Sequence, residues 1–164
     1  MGYIMDLRKF VGHSPLIMAG AGVIIINEQN QILLQKRSDN KCWGIIGGSI
    51  ELGETLEETA KREAFEEAGL KIFDLKLFNV YSGEHSYYKY PNGDEVYNVA
   101  TIYTTHNYSG IPTPDLVETI ALNFFDITEI PDNINPPDLI ILDEIKLKFD
   151  EIKSKWFLNK NKNL

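Results

Sequence analysis

Three carboxylates crowd one short stretch of this chain: Glu63, Glu66 and Glu67. The residues around them, Leu56 to Ala68, have helical character, and a wheel of 3.6 residues per turn sorts them. Leu56, Ala60, Ala64 and Ala68 make one apolar stripe, small enough to bring the helix close to a sheet. Glu63 and Glu67 are four apart and so neighbours on one face, with Glu66 beside Glu63. Glu63 and Glu67 fall at the edge of the stripe or inside it, which predicts partial desolvation. Like charges at this spacing repel, and burial sharpens the repulsion. A hard divalent cation relieves both, because Mg²⁺ and Mn²⁺ prefer oxygen ligands. Two readings stay open: a metal-holding helix, or a solvated acidic face that touches the core.

Flanking residues must position these carboxylates. Thr55 and Glu58 have the T-x-x-E spacing of a capping box, and Gly69 supplies a left-handed stop, so a helix is predicted from Thr55 to Ala68. Gly47-Gly48 leads into Ser49-Ile50-Glu51-Leu52-Gly53-Glu54 and reads as a tight turn that exposes carbonyls and amides to a ligand. Upstream, Leu16 to Ile26 reads as a buried strand, Asn27 to Asn30 as a turn, and Gln31 to Lys36 as the returning strand of a hairpin. Trp43 to Ile46 is a short strand ending at the glycines. Downstream, Leu70 to Tyr81, Val96 to Thr105 and Ile120 to Phe125 read as strands. A turn at Pro91 to Asp94 and a loop at Ile111 to Pro114 separate them. Asp138 to Phe157 places Leu139, Leu142, Ile145, Phe149, Ile152 and Trp156 at helical spacing. Strands interleaved with two substantial helices predict an α/β fold, a mixed sheet with a helix on each face. Residues 1–15 read as an N-terminal extension and residues 159–164 as a polar tail on a single domain.

Bulk properties narrow the function. At 164 residues the chain fits one domain with its own core. A net charge of -8 argues against extended nucleic-acid binding, which needs a basic face. It leaves a small anionic ligand open, because a bound cation reverses the local field. Cys42 is the single cysteine, so no internal disulfide forms. The first ten residues do not read as a secretory signal, Asp6 spoils a myristoylation pattern, and no apolar run reaches membrane-spanning length. A cytoplasmic protein with no membrane partner is the expectation.

The segment Gly48 to Leu70 reads G-S-I-E-L-G-E-T-L-E-E-T-A-K-R-E-A-F-E-E-A-G-L. It resembles the box of the Nudix hydrolases, G-x5-E-x7-R-E-U-x-E-E-x-G-U, where U is aliphatic. Gly48, Glu54, Arg62, Glu63, Glu66, Glu67 and Gly69 match, and Ala64 and Leu70 take the U positions. Ala21 to Ile26, Ile32 to Arg37, Trp43 and Glu118 to Pro131 also sit where family members carry their early strands, a tryptophan and a late strand. One departure is Ile46, where many members have proline before the glycine pair.

The resemblance implies a Nudix-type α/β/α sandwich and hydrolysis of a nucleoside diphosphate linked to another group. ADP-ribose, a nucleoside triphosphate and a dinucleoside polyphosphate are examples. An RNA 5′-end pyrophosphohydrolase and a non-catalytic nucleotide sensor are the alternatives. It also implies Mg²⁺ or Mn²⁺ held by Glu63 and Glu67, by Glu66 directly or through water, and by the Gly47 carbonyl. Such ions neutralise phosphate charge and acidify water.

Arg62 is placed to orient carboxylates, four residues from Glu58 and from Glu66. Glu54 is expected to hold the loop or pair with Arg62. The general base is a box glutamate or a later carboxylate, Glu118 first and Glu95 behind it. Lys36, Arg37 and the Gly48 amide are candidate phosphate contacts. Tyr87 and Tyr88 lie where some dinucleoside-polyphosphate relatives carry a tyrosine. Trp43 reads as core, and His13, His85 and His106 show no metal spacing. A homodimer is left open.

Overall fold

The computed structural model describes residues 2–160, with side chains as far as Lys153. In chain order it forms α1 (Tyr3–Val11), β1 (Leu16–Ile25), β2 (Ile32–Arg37), β3 (Trp43–Gly44), β4 (Ile46–Ser49) and α2 (Leu56–Ala68). There follow β5 (Lys71–Ile72), β6 (Lys76–Tyr81), β7 (Tyr87–Lys89), β8 (Glu95–Thr105), β9 (Tyr108–Ser109), β10 (Thr119–Phe125) and α3 (Leu139–Lys160).

β1 carries apolar residues on both faces because both faces are covered. Ala21, Val23 and Ile25 meet α2 through Ala60, Ala64 and Ala68. Ile24 and Ile26 point the other way, into a cluster with Ile141, Leu142, Ile145 and Phe149 of α3. The three alanines of α2 are fully buried, so the helix lies close against the sheet. This is an α/β/α sandwich. Its larger sheet runs β4-β1-β8-β6, with β7 also on β8. β1 and β8 are parallel and the other pairings antiparallel, so the sheet is mixed as expected.

Several expected elements are divided. The turn after Ile26 forms, with the Asn27 side chain accepting from the Gln29 and Gln31 backbone N–H groups. The hairpin does not: β1 and β2 share the single bridge Ile26–Ile32, and β2 then joins a second sheet, β10-β2-β3. Ile32, Leu33 and Leu34 are all buried and feed both clusters, so β2 has to lie between layers. The stretch Trp43 to Ile46 breaks at Ile45, with β3 in the small sheet and β4 in the large one. Leu70 to Tyr81 breaks at Phe73 to Leu75, and β5 pairs with β9 instead. Residues 3–11 of the extension form a helix that the sequence reading did not place. α3 follows a short 3₁₀ turn at Pro136–Asp138, and Trp156 and Phe157 lie outside the described side chains.

Candidate active site

The capping box at Thr55 and Glu58 forms, and Gly69 ends α2 in the left-handed conformation. These ends set the phase of the helix. They turn Glu63, Glu66 and Glu67 toward β4 and the cleft beside it.

Gly47 and Gly48 are not the turn itself. They lie within β4, paired with Gly22 and Ala21. A side chain at Gly47 would come within 2.5 Å of the Ala21 carbonyl oxygen, and one at Gly48 would run into the Glu63 carboxylate. Glycine here lets one strand and one carboxylate occupy the same corner. The turn falls later, where Gly53 has φ +88° and the Glu54 N–H donates to the Glu51 carbonyl.

Glu67 is 4% exposed. Its carboxylate accepts from Gln35 Nε2 at 2.8 Å and from the Gly47 N–H at 2.9 Å. Burial dominates these hydrogen bonds and pushes the carboxyl up to about 8. Burial also raises Glu63, opposed by Arg62 and reinforced by the charges of Glu66 and Glu118. Arg62 gathers the rest. It donates to Glu54 through Nε at 2.6 Å, to Glu63 and Glu66 through Nη1 at 2.7 and 2.9 Å, and to the Ser49 carbonyl at 3.1 Å. Arg62 in turn holds Glu54 down to about 2. The expected pairs of Arg62 with Glu54 and Glu66 are both present. Glu58 instead stays on the Thr55 cap.

Arg62, Glu63, Glu66 and Glu67 line one side of a cleft of about 760 Å³. Its floor is one face of the large sheet, Met18, Gly20 and Gly22 of β1 beside Asn98, Ala100 and Ile102 of β8. Across the floor stand Tyr81, Ser86, Tyr88 and Tyr90. Arg37, Asn135 and Asp138 also line it, as do Gly2, Ile4, Met5 and Arg8 at the N-terminal helix.

The remaining candidates separate. Glu118 faces this cleft, close enough to Glu63 to act on its ionisation. Arg37 also faces it, paired with Asp39 at 2.9 Å. Lys36 is not among the lining residues and lies 6.0 Å over the Trp43 ring. Glu95 is held by Tyr87 and Lys89, away from the box. Tyr87 and Tyr88 point to opposite faces of β7: Tyr88 lines the cleft, while Tyr87 packs on Tyr97 outside. Trp43 packs edge-on against Phe125 at the core margin, as expected. His13 pairs with Asp94.

Three groups escaped the sequence reading. Gln35 is fully buried and also accepts a hydrogen bond from Thr119. A polar residue inside the buried run Ile32 to Leu34 and beyond is the signal that marks it. Asp115 accepts the backbone N–H groups of Val117, Glu118 and Thr119 and so fixes the segment that carries Glu118. Asp138 is desolvated and held up by burial, accepting from the Ile45 N–H and Asn135 Nδ2.

The model of the NUDIX domain matches residues 16–145. An ADP-ribose pyrophosphatase of Methanocaldococcus jannaschii is 32% identical over 146 residues, 87% of this chain and 81% of its own. An RNA pyrophosphohydrolase of Edwardsiella ictaluri is 41% identical over 56 residues, 34% of this chain and 32% of its own. Apart from the archaeal protein, the chain spans between 32% and 45% of the length of the curated relatives it matches. The crystal structure of a MutT NUDIX hydrolase from Burkholderia pseudomallei superposes with a TM-score of 0.67 at 28% identity, covering 80% of this chain and 98% of that one. The NUDIX domain of Shewanella oneidensis NrtR, complexed with ADP ribose, shares the fold with a TM-score of 0.65 at 15% identity, covering 91% of this chain and 99% of that one. The box on α2, the sandwich that holds it and a family match over most of the chain agree: the chain belongs to the Nudix hydrolase family.

Proposed function

We propose that this chain hydrolyses the pyrophosphate bond of a nucleoside diphosphate linked to a second group, with ADP-ribose the first substrate to test. The observation that carries the reading is Glu67, a carboxylate buried beside Glu63 at the β4 glycines and at the side of a nucleotide-sized cleft.

The donors fit a hard divalent cation. Glu63, Glu66, Glu67 and the Gly47 carbonyl offer oxygen only, the set that Mg²⁺ and Mn²⁺ prefer. Two of the carboxylates are desolvated side by side, which a cation relieves. Among the described residues they do not converge on one point: Arg62 links Glu63 and Glu66, while Gln35 and Gly47 hold Glu67. When bound, the metal supplies charge neutralisation for the diphosphate and a lower pKa for water.

The protein groups then divide the work. Gln35 and the Gly47 N–H fix the orientation of Glu67, and Arg62 keeps Glu63 and Glu66 in register with the Glu54 loop. Gly48 makes room for the Glu63 carboxylate beside β4. Glu118 takes a proton from the attacking water as its oxygen bonds to phosphorus, and the bond from phosphorus to the bridging oxygen breaks. With ADP-ribose the products are AMP and ribose 5-phosphate. Such catalysis is mostly positioning and charge stabilisation.

Support for a two-sided substrate comes from the archaeal relative named ADP-ribose pyrophosphatase, which aligns over 87% of this chain. The Edwardsiella RNA pyrophosphohydrolase aligns over 34% only. The test is a panel of ADP-ribose, nucleoside triphosphates, dinucleoside polyphosphates, nucleotide sugars and 5′-triphosphorylated RNA, with Mg²⁺, Mn²⁺ or EDTA. Turnover of ADP-ribose that EDTA removes is expected. The variant Glu67→Gln should lower kcat by at least about 100-fold, the upper end of what loss of a ligand's supporting partner alone costs. Unchanged turnover in that variant sinks the assignment of Glu67. Preference for the RNA favours end-processing, and binding of ADP-ribose with no hydrolysis under any ion favours a sensor.

A further inference from the structure

α1 lies outside residues 16–145, which the family model matches, yet it forms a wall of the cleft. It is fixed at both ends. The Tyr3 N–H donates to Glu51 Oε2 at 2.9 Å, tying its start to the loop before α2. Arg8, buried at 9% exposure, donates to the carbonyls of Gly12, Ser14 and Glu95 at 3.0, 2.6 and 2.8 Å. Ile4 and Arg8 are four apart and share the inward face, with Met5 adjoining.

The floor beneath that wall has a matching character. In β1, Leu16, Met18 and Gly20 face the cleft side, while Ile17 and Ala19 are exposed. Met18 lies opposite Asn98, and Leu16 opposite Val96. Ile4, Met5 and Met18 give this part of the cleft aliphatic and thioether surface, beside the polar groups of Arg8, Asp94 and Asn98. Thioethers make favourable contacts with aromatic rings, and methionine adapts its shape to them. Elsewhere the lining offers Arg37, Asn135 and Asp138, which suit hydroxyls rather than a flat ring face. Along β1, Met18 is four residues from Gly22, the partner of Gly47. At about 3.3 Å per residue that is roughly 13 Å.

We infer that α1 is a specificity wall: Ile4 and Met5, with Met18 of the floor, receive the nucleobase of the substrate, and the second sugar lies toward Asn135 and Asp138. This rests on the pyrophosphohydrolase reading of the same cleft.

The test uses the full chain and Met5→Asp. Met5 is 58% exposed and its replacement leaves the core untouched. Phe10→Asp, on the same helix at a position 87% exposed and away from the cleft, is the control. Calorimetry with AMP and with ribose 5-phosphate, and steady-state kinetics on ADP-ribose, are the readouts. Met5→Asp should weaken AMP binding and raise KM for ADP-ribose about tenfold, the effect of losing part of one methionine contact. It should leave kcat and ribose 5-phosphate binding near wild type, and Phe10→Asp should change neither. Unchanged AMP binding in Met5→Asp overturns the inference while hydrolysis by the wild type keeps the functional reading. Weakened ribose 5-phosphate binding with AMP unaffected also overturns it, because it puts the sugar under α1. Base-dependent binding at α1 without hydrolysis supports the inference and sinks the catalytic reading.

Discussion

At the scale of single residues, the corner between β4 and α2 is defined by what is missing. Gly48 has no side chain, and the Glu63 carboxylate occupies the space one would fill. Gly48→Ala should therefore displace Glu63 while leaving the buried alanine stripe of α2 intact. A shift of that kind costs about 100-fold in rate when the group positions reactants. Steady-state kinetics, with circular dichroism to confirm the fold, would show it; wild-type kcat/KM in Gly48→Ala removes the crowding argument. The wheel made the burial of Glu63 and Glu67 legible, since both follow from a 3.6-residue period and four apolar neighbours. Gln35 was not legible as their partner. Pairing between residues 35 and 67 depends on the sheet that β2 joins, and a local pattern does not name that sheet. The Arg62 network was read in part for a similar reason: Glu58 is in helical reach, but the cap competes for it and wins.

At the scale of elements, α2 keeps its phase through its caps. Thr55→Ala removes the acceptor for the Glu58 N–H and should cost about 1 kcal/mol of unfolding free energy, as N-cap deletions do. Urea denaturation measures it, and an unchanged midpoint would show that packing alone fixes the helix start. Both ends of α2 were legible because capping residues act locally. The divided strands were not. Leu70 to Tyr81 has the composition of one strand, but β5 pairs with β9 and β6 with β8. The break at Phe73 to Leu75 reflects those two partners rather than any breaker in the sequence. The hairpin failed likewise, because complete burial of Ile32 to Leu34 outweighs the turn at Asn27.

At the scale of the whole molecule, layers are joined by ionised groups whose charge is part of the fold. Glu144 of α3 accepts from Tyr81 Oη at 2.6 Å and from Asn79, and pairs with Lys148. Lys148 first and then Tyr81 hold it down to about 2, against an ordinary 4.5. Glu54 is held at a similar value by Arg62. Both groups ionise more readily in the folded chain than in the unfolded one. Their stabilisation is complete above about 4.5 and is lost as pH falls from there toward about 2. Thermal melts between those limits should show Tm falling with acid, and Glu144→Gln should flatten part of that slope. An equally steep slope in the variant would mean that other carboxylates carry it. The layered α/β/α architecture was legible from alternating strands and helices. The cleft was not, because its lining comes from residues 2–141 and no segment contains it.

The parallel pairing of β1 with β8 sets an order of assembly. Residue 16 lies opposite residue 96, and 25 opposite 105. Contacts this distant in sequence form late, because a long loop has to close before they are rewarded. A chain leaving the ribosome exposes the whole glutamate box by Leu70 and still lacks half of its cleft floor. Every carboxylate proposed to hold the metal then exists before any surface that can seat a nucleotide. The proposed nucleotide cleavage is thus a late event in the life of the chain, reached only when β8 closes a gap of some 80 residues behind it.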